Sequence, residues 1–230
     1  MTLTRYGRRE WLTASAAALI LLALFSCAGL MLSRWFLIGC PLAVLLWIMA
    51  VGFFRSPARK PPEDQEALLS PADGTVRDIG VVDFPDSPFE GRALRIGIFL
   101  SVFNVHLNRA PARWAITSRR YRPGRYFDAR NPECAGRNEA MTLGGTAFLP
   151  GREFPMAVRQ ISGAIARRIV CPPDVGDEIP RGAVYGMIKF GSRTELYLPE
   201  TGFVPTVRVG DKVRAGLTIM ARPVSVVDAP

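Results

Sequence analysis

Two long apolar stretches near the N-terminus constrain the fold of this chain more than any other feature. The ranges Trp11–Leu32 and Trp35–Phe54 contain no charged residue. Each is about 20 residues long, enough for a helix to cross roughly 30 Å of hydrocarbon. Only Ser33 and Arg34 separate them. The sequence therefore predicts a membrane hairpin of two apolar helices over residues 1–54.

Three other kinds of segment share part of this pattern. Arginines before an apolar run that ends in small residues are typical of a cleaved signal peptide. Leu24–Cys27 loosely resembles the cleavage motif of a lipoprotein signal, and a hairpin that enters one leaflet without crossing also fits. The second apolar stretch follows at once, which a cleaved signal would not need, so we favour the uncleaved hairpin.

The charges that flank the hairpin predict its orientation. Three positive residues precede it and three follow it, namely Arg5, Arg8, Arg9, Arg55, Arg59 and Lys60. Arg34 alone lies in the turn. Because positive flanks are favoured on the cytoplasmic side, we expect both ends of the hairpin, and the rest of the chain, at the cytoplasmic face of the cell membrane.

The net charge of +9 suits either nucleic acid or an anionic membrane surface. No helix-turn-helix, zinc-finger or RNA-binding signature accompanies the charge, so we expect a membrane surface as partner and no nucleic acid. The four cysteines include no CxxC pair, and the chain has a single histidine. The sequence thus predicts no metal site.

Beyond the hairpin, residues 55–68 are interpreted as a polar, proline-bearing linker, and residues 69–230 as one domain. Short runs of β character are separated by Gly, Pro, Asp and Asn at intervals of about ten residues, which is typical of an all-β barrel or sandwich. The predicted fold is mainly β. The runs are Thr75–Ile79, Leu94–Leu100, Ala115–Tyr121, Thr142–Phe148, Met156–Ile161, Ile165–Val170, Val184–Phe190 and Glu195–Leu198.

An internal repeat supports this interpretation. Val175–Gly182 and Val209–Gly216 share the pattern Val-Gly-Asp-x-[Ile/Val]-x-x-Gly, which predicts a turn, a short strand and a second turn. The pattern resembles the repeat of biotinyl- and lipoyl-type barrel-sandwich domains, which carry a modified lysine between the copies. Here Lys189 lies inside an apparent strand, so we interpret the repeat as the scaffold of a barrel-sandwich-like domain.

A Gly-Ser dipeptide lies between the two copies, at Gly191 and Ser192. A serine held on a strained turn can attack the carbonyl before it and convert the amide into an ester, and glycine allows backbone geometry closed to other residues. β-Elimination, tautomerisation and loss of ammonia then leave a pyruvoyl group at a new N-terminus. These steps require a nearby base and donors for the oxyanion.

The candidate base is His106, the only histidine, because an imidazole titrates near neutral pH. The candidate for the carboxylate that orients it is Asp73. Both residues also have a purely structural interpretation: a single histidine is often structural, and Asp73-Gly74 after Pro-Ala is a good turn.

Three motifs occur in one order along the chain. Ser70–Val76 contains Ser-Pro-Ala-Asp-Gly-Thr-Val, Phe99–Arg109 contains Phe-Leu-Ser followed by Val-His-x-Asn-Arg, and Phe190–Arg193 contains Phe-Gly-Ser-Arg. Together they resemble the phosphatidylserine decarboxylase family, from about residue 55 to the C-terminus, and the hairpin agrees with that family's membrane attachment. Phe-Gly-Ser-Arg is typical of the compact branch of the family.

The resemblance implies a self-cleaving proenzyme. Cleavage between Gly191 and Ser192 would give a β chain of residues 1–191 and an α chain of residues 192–230, with Ser192 becoming the covalent pyruvoyl cofactor. Asp73 and His106 would assist the cleavage as orienting group and base, in the manner of a serine-protease triad.

The resemblance also implies the reaction, the decarboxylation of phosphatidylserine to phosphatidylethanolamine with the pyruvoyl carbonyl as electron sink and no metal. One or more of Arg109, Arg113 and Arg193 would bind the substrate phosphate. The larger branch of the family carries a second histidine where Arg109 stands and uses the first, which His106 matches, in decarboxylation. His106 would then serve both steps or leave one to another group.

Other functions stay open at this point. The compact branch includes archaetidylserine decarboxylases, which perform the same chemistry on ether lipids. A non-enzymatic, membrane-anchored barrel-sandwich adaptor and a soluble pyruvoyl-dependent amino-acid decarboxylase are further alternatives, although the latter has no use for a hairpin. The expected partners are a phospholipid, the membrane and the two chains of one precursor, and a homo-oligomer is left open.

Overall fold

The computed structural model describes residues 2–84, 88–89, 91–125, 127, 134–163, 168–189 and 192–224. The chain divides into two units, Met1–Ala58 and Arg59–Pro230. The predicted division at residues 54 and 68, and the division into two chains at residue 191, stay predictions.

The first unit is a helical hairpin. Its helices are α1 (Arg8–Met31) and α2 (Gly39–Gly52), with a short 3-10 helix at Arg34–Ile38 between them. The indole Nε1 of Trp47 donates a hydrogen bond to Ser15 Oγ at 3.0 Å, a polar contact of the kind that pairs helices in lipid.

A short pair of strands connects the two ends of the hairpin. Strand β1 (Thr2–Leu3) pairs antiparallel with β2 (Arg55–Ser56), so the two ends of the hairpin lie side by side. The segments Arg5–Met31 and Arg34–Gly52 are long and apolar enough to cross a membrane. The predicted pair of apolar helices is thereby confirmed as a structure.

The second unit is built almost entirely of antiparallel strands. One sheet has eight strands in the order β11-β7-β8-β9-β13-β5-β4-β15, and two smaller sheets have the orders β10-β12-β6 and β14-β16-β3. The elements are β3 (Leu68–Leu69), β4 (Gly74–Phe84), β5 (Gly91–Leu100), β6 (Leu107–Arg109), β7 (Arg113–Arg122), α3 (Cys134–Arg137), β8 (Ala140–Leu149), β9 (Arg152–Ile161), β10 (Ile169–Val170), β11 (Glu178–Ile179), β12 (Val184–Ile188), β13 (Ser192–Pro199), β14 (Phe203–Pro205), β15 (Lys212–Val213) and β16 (Ile219–Pro223).

The core lies on one face of the eight-stranded sheet. Alternate residues of each strand point to the same face, so Ile96 and Ile98 of β5 lie in the core together with Leu196 of β13. The mainly β prediction is confirmed. Two predicted runs, at 165–170 and 184–190, extend into residues outside the described ranges, and the sequence patterns did not predict the short strands such as β6 and β14.

The two copies of the repeat form matching turns at opposite edges of the eight-stranded sheet. The N–H groups of Gly176 and Gly210 each donate a 2.9 Å hydrogen bond, to the carbonyls of Ile116 and Val76 respectively. Both glycines have positive φ, +96° and +100°, which other residues adopt poorly. The predicted turn and short strand are confirmed in both copies, since β11 joins one edge and β15 the other.

Candidate active site

Residues 100–106 contact the chain on both sides of the predicted cleavage point. Ser192, the first residue of β13, pairs with Leu100, the last residue of β5. On the other side, the N–H of Ile188 donates to the carbonyl of His106 at 3.1 Å. The connection from β5 to β6 therefore contacts described residues on both sides of the predicted cleavage point. Gly191 and the bond after it lie outside the described residues.

The hydroxyl of Ser192 is the first unusual group of this region. The residue is fully buried, and its Oγ has no hydrogen-bond partner within the described ranges. Buried hydroxyls without a partner are uncommon because desolvation then goes uncompensated. The Ser192 hydroxyl is retained at the start of a central strand despite this unfavourable desolvation energy, which is consistent with a role as nucleophile.

His106 is fully buried at the end of the loop between β5 and β6. Its Nδ1 lies 3.0 Å from the backbone carbonyl oxygen of Asn104. Since a carbonyl only accepts, Nδ1 donates a proton, and in the neutral form of this imidazole Nε2 is then the atom that can accept one. The loop itself is fixed by Asn104 Oδ1, which accepts from both N–H and Oγ of Ser101 at 2.8 Å.

The carboxylate of Asp73 accepts hydrogen bonds from one side chain and from one backbone N–H. One carboxylate oxygen, Oδ2, accepts from Arg59 Nη2 at 2.8 Å, and the other, Oδ1, accepts from Arg59 Nη1 and from the N–H of Ala215, the latter at 2.8 Å. The described partner of His106 Nδ1 is instead the carbonyl of Asn104. The carboxylate thus orients Arg59 in this structure, and the role of Asp73 in self-cleavage stays a prediction.

The three arginines predicted to bind phosphate have separate sets of described partners. Arg109 is buried and donates from Nη1 to the carbonyl of Gly182 at 2.8 Å. Burial lowers the pKa of Arg109, and the positive charge of Arg59 lowers it further.

The other two arginines differ sharply in exposure. Arg113 is half exposed, binds Glu178 at 2.9 Å and stacks on the ring of Phe148. Arg193 is fully buried and binds Asp78 and Glu195. Enclosure by two carboxylates leaves Arg193 the least suited of the three to bind a substrate phosphate.

Asn108 is a site residue that the sequence analysis did not single out. Its Nδ2 donates to the carbonyl of Pro71 at 3.2 Å and to Thr194 Oγ1 at 3.1 Å, and its Oδ1 accepts from Gln160 Nε2 at 2.8 Å. The side chain therefore links the second motif to the first and contacts the residue that directly follows the third. The position of Asn108 inside the second motif was the one available signal.

A mainly β domain in which a buried serine hydroxyl, unpartnered among the described residues, lies beside the loop of a buried histidine defines a candidate self-processing enzyme. Among the described residues, no group of three or more His, Cys, Asp or Glu side chains is placed to hold a metal ion.

Comparison with known proteins identifies the family. The family model of phosphatidylserine decarboxylase matches residues 47–221, and the chain belongs to this family. It is 41% identical over 203 residues to the phosphatidylserine decarboxylase proenzyme of Trichlorobacter lovleyi, covering 87% of this chain and 90% of the relative. The proenzymes of Pelobacter propionicus (42% over 209 residues, 91% and 92% covered) and Rhodopirellula baltica (43% over 210 residues, 90% and 85% covered) are similar as well.

The resemblance inferred from three short motifs is thereby confirmed. Membership of a family of decarboxylase proenzymes also makes the chain an enzyme precursor. The non-enzymatic adaptor is accordingly set aside.

Proposed function

We propose that this chain cuts itself between Gly191 and Ser192 and then decarboxylates phosphatidylserine to phosphatidylethanolamine. The observation that carries the proposal is the buried Ser192 Oγ without a hydrogen-bond partner in the described part of the chain. The names of the relatives, which are proenzymes of a phosphatidylserine decarboxylase, support both the cleavage and the substrate.

In the first step Ser192 Oγ attacks the carbonyl carbon of Gly191, and its proton passes to Nε2 of His106. The tautomer set by Asn104 supports this role, because it leaves the Nε2 lone pair as the acceptor. The C–N bond of the amide breaks as the ester forms, and the amine of residue 192 takes up the proton. The histidine is thus neutral again at the end of the shift.

The ester then loses its acyl group by elimination. Removal of the α proton of residue 192 expels the carboxylate of Gly191, which becomes the C-terminus of the β chain. Tautomerisation and hydrolysis release ammonia and leave a pyruvoyl group derived from Ser192. When present, this group supplies a carbonyl that accepts the electrons released on loss of carbon dioxide.

The protein's own residues provide the surroundings for decarboxylation. We expect His106 to move a proton at residue 192, and the contacts of residues 100–106 with Ser192 and Ile188, on either side of the cleavage point, support this role. We propose Arg109 and Arg113 ahead of Arg193 as ligands of the substrate phosphate, because Arg193 is enclosed by carboxylates.

For the membrane, we propose that both ends of the hairpin lie at the cytoplasmic face of the cell membrane. The pairing of β1 with β2 supports a common side for the two ends. The positive residues on both flanks support the cytoplasmic side.

Mass spectrometry of the purified full chain tests the proposal directly. We expect two polypeptides, 1–191 and 192–230, the second lacking a free amine and lighter by one ammonia than its unmodified sequence. Vesicles of phosphatidylserine should then yield phosphatidylethanolamine, and ether-linked vesicles test the breadth of substrates. An intact single chain with full decarboxylase activity would disprove the mechanism.

A further inference from the structure

Arg193 is a fully buried charge directly after the predicted nucleophile. It lies within β13, paired with Phe99 of β5 on one side and Ile161 of β9 on the other. A buried charge is costly unless it is paired and hydrogen-bonded. Two of the three guanidinium nitrogens meet this requirement: Nε donates to Glu195 Oε1 at 2.8 Å and Nη2 donates to Asp78, whereas Nη1 has no hydrogen-bond partner among the described residues.

The neighbouring strand leaves room for this guanidinium. Gly97 of β5 lies opposite Glu195. A Cβ atom at Gly97 would lie 2.2 Å from Arg193 Nη2 and 2.7 Å from Asp78 Oδ2, distances that no real side chain tolerates. Glycine at this position is therefore a steric condition for the ion pairs of Arg193.

Cleavage removes the covalent bond that connects the start of β13 to the preceding segment. Before cleavage, residue 192 is covalently continuous with the segment that leads from β12, whereas afterwards it is a chain end, and chain ends fray unless they are tied down. The conversion of Ser192 also removes its backbone N–H, so residue 192 can no longer donate to the sheet. The nearest side chain able to hold the new end is that of Arg193.

We propose that Arg193, bound by Asp78 and Glu195, is a positioning residue that holds the first residues of the α chain in register after cleavage. The group derived from Ser192 thereby stays beside the loop of His106. Asp78 belongs to the β chain and Glu195 to the α chain, so the arginine also links the two products. This inference rests on the proposed function.

The test compares Arg193→Met in a cleaving and a non-cleaving chain. In the cleaving chain we expect normal self-cleavage and a kcat lowered by about tenfold or more, because a small misplacement of a reacting group is costly. The KM should change by less than about twofold. Backbone amide exchange at residues 194–196 should accelerate in the cleaved protein and much less in the uncut Ser192→Ala background.

Two further variants complete the experiment. Arg193→Lys keeps the charge but not the paired geometry, so an intermediate kcat is expected, and this variant carries the test if Arg193→Met does not fold. Arg92→Met is the control, since Arg92 binds Glu200 at 3.0 Å and so joins the same two chains just beyond the other end of β13. It should leave the amide exchange of residues 194–196 unchanged.

Equal acceleration of exchange in cut and uncut chains would overturn the inference, because it would show a general structural role. Full kcat in the cleaved Arg193→Lys and Arg193→Met variants would overturn it as well. Absence of decarboxylase activity in the unmodified, cleaved protein would instead refute the proposed function, and the exchange comparison would still decide whether Arg193 holds the chain end.

Discussion

The backbone N–H of Ile188 donates to the carbonyl of His106 at 3.1 Å. Because Ile188 ends the strand before the cleavage point and His106 ends the loop after β5, this hydrogen bond fixes the histidine relative to the chain that is cut. Two backbone groups position this residue. The backbone carbonyl of His106 accepts from Ile188, and its imidazole Nδ1 donates to the carbonyl of Asn104. This arrangement leads to the first two predictions.

Replacement of Ser192 tests whether its hydroxyl is the nucleophile. Ser192→Ala should abolish both cleavage and decarboxylation, because alanine has no hydroxyl to attack Gly191. Ser192→Cys should still cleave, since a thiol makes the same acyl shift. Gel electrophoresis and mass spectrometry of the purified chains measure the outcome. Cleavage in Ser192→Ala would place the nucleophile elsewhere.

Replacement of His106 tests the base. We expect His106→Ala to accumulate uncut precursor, and Asp73→Ala to do so less severely, in time courses of the two bands at several pH values. The histidine is expected to matter more because it takes the proton directly, whereas Asp73 contacts Arg59 and Ala215. Normal cleavage without decarboxylation in His106→Ala would restrict the histidine to the second step.

The pairing of Arg59 with Asp73 predicts strong coupling between these two side chains. Both are about nine-tenths buried, so removal of either one leaves a buried charge without its partner and should destabilise the protein by roughly 3–5 kcal/mol. The double variant Arg59→Met/Asp73→Leu should lose clearly less than the sum of the two single losses. Urea denaturation of the three variants measures this, and additive losses would contradict a direct pair.

Cys171 predicts a pH dependence of stability. Burial raises the pKa of its thiol from 9.0 to about 12, so above pH 9 the unfolded chain releases a proton that the folded chain retains. Stability should therefore fall as the pH rises from 8 to 10, by about 1.4 kcal/mol from this group alone. Cys171→Ala should lack that part of the loss, and identical pH profiles in denaturation experiments would refute the assignment.

The hairpin predicts the accessibility of the domain in cells. With both ends of the hairpin in the cytoplasm, a protease added outside intact cells should leave residues after Arg55 undigested, and the same protease should digest them after lysis. Digestion from outside, or a mature N-terminus at Cys27, would support the lipoprotein signal instead.

The sequence predicted the parts of this site that depend on local patterns. The length of the two uncharged stretches predicts the hairpin, and the Gly-Asp pairs predict a turn and a short strand in each copy of the repeat, because each feature is set by a few neighbouring residues. The Gly-Ser dipeptide between the repeats directed attention to Ser192 for the same reason.

The rest depends on contacts between distant segments. Arg59 belongs to an apparent linker, and nothing local indicates that it binds Asp73. The partner of His106 Nδ1 is a backbone carbonyl, which carries no sequence signal. Arg193 and Glu195 are charged residues at alternate positions of a strand, which is typical of a solvent-facing side, yet both are fully buried because their charges compensate each other.

In the proposed two-chain enzyme, three strands of the α chain pair with strands of the β chain. Strand β13 lies between β5 and β9, while β15 pairs with β4 and β16 with β3. Peptide-bond cleavage therefore cannot release the α chain without dismantling the sheet. Once unfolded, however, the cut protein must reassemble from two molecules, so its refolding should become second order and slow with dilution, whereas the uncut precursor refolds at a rate independent of concentration. On the proposed mechanism, the enzyme would therefore gain its reactive group and lose the ability to recover easily from denaturation.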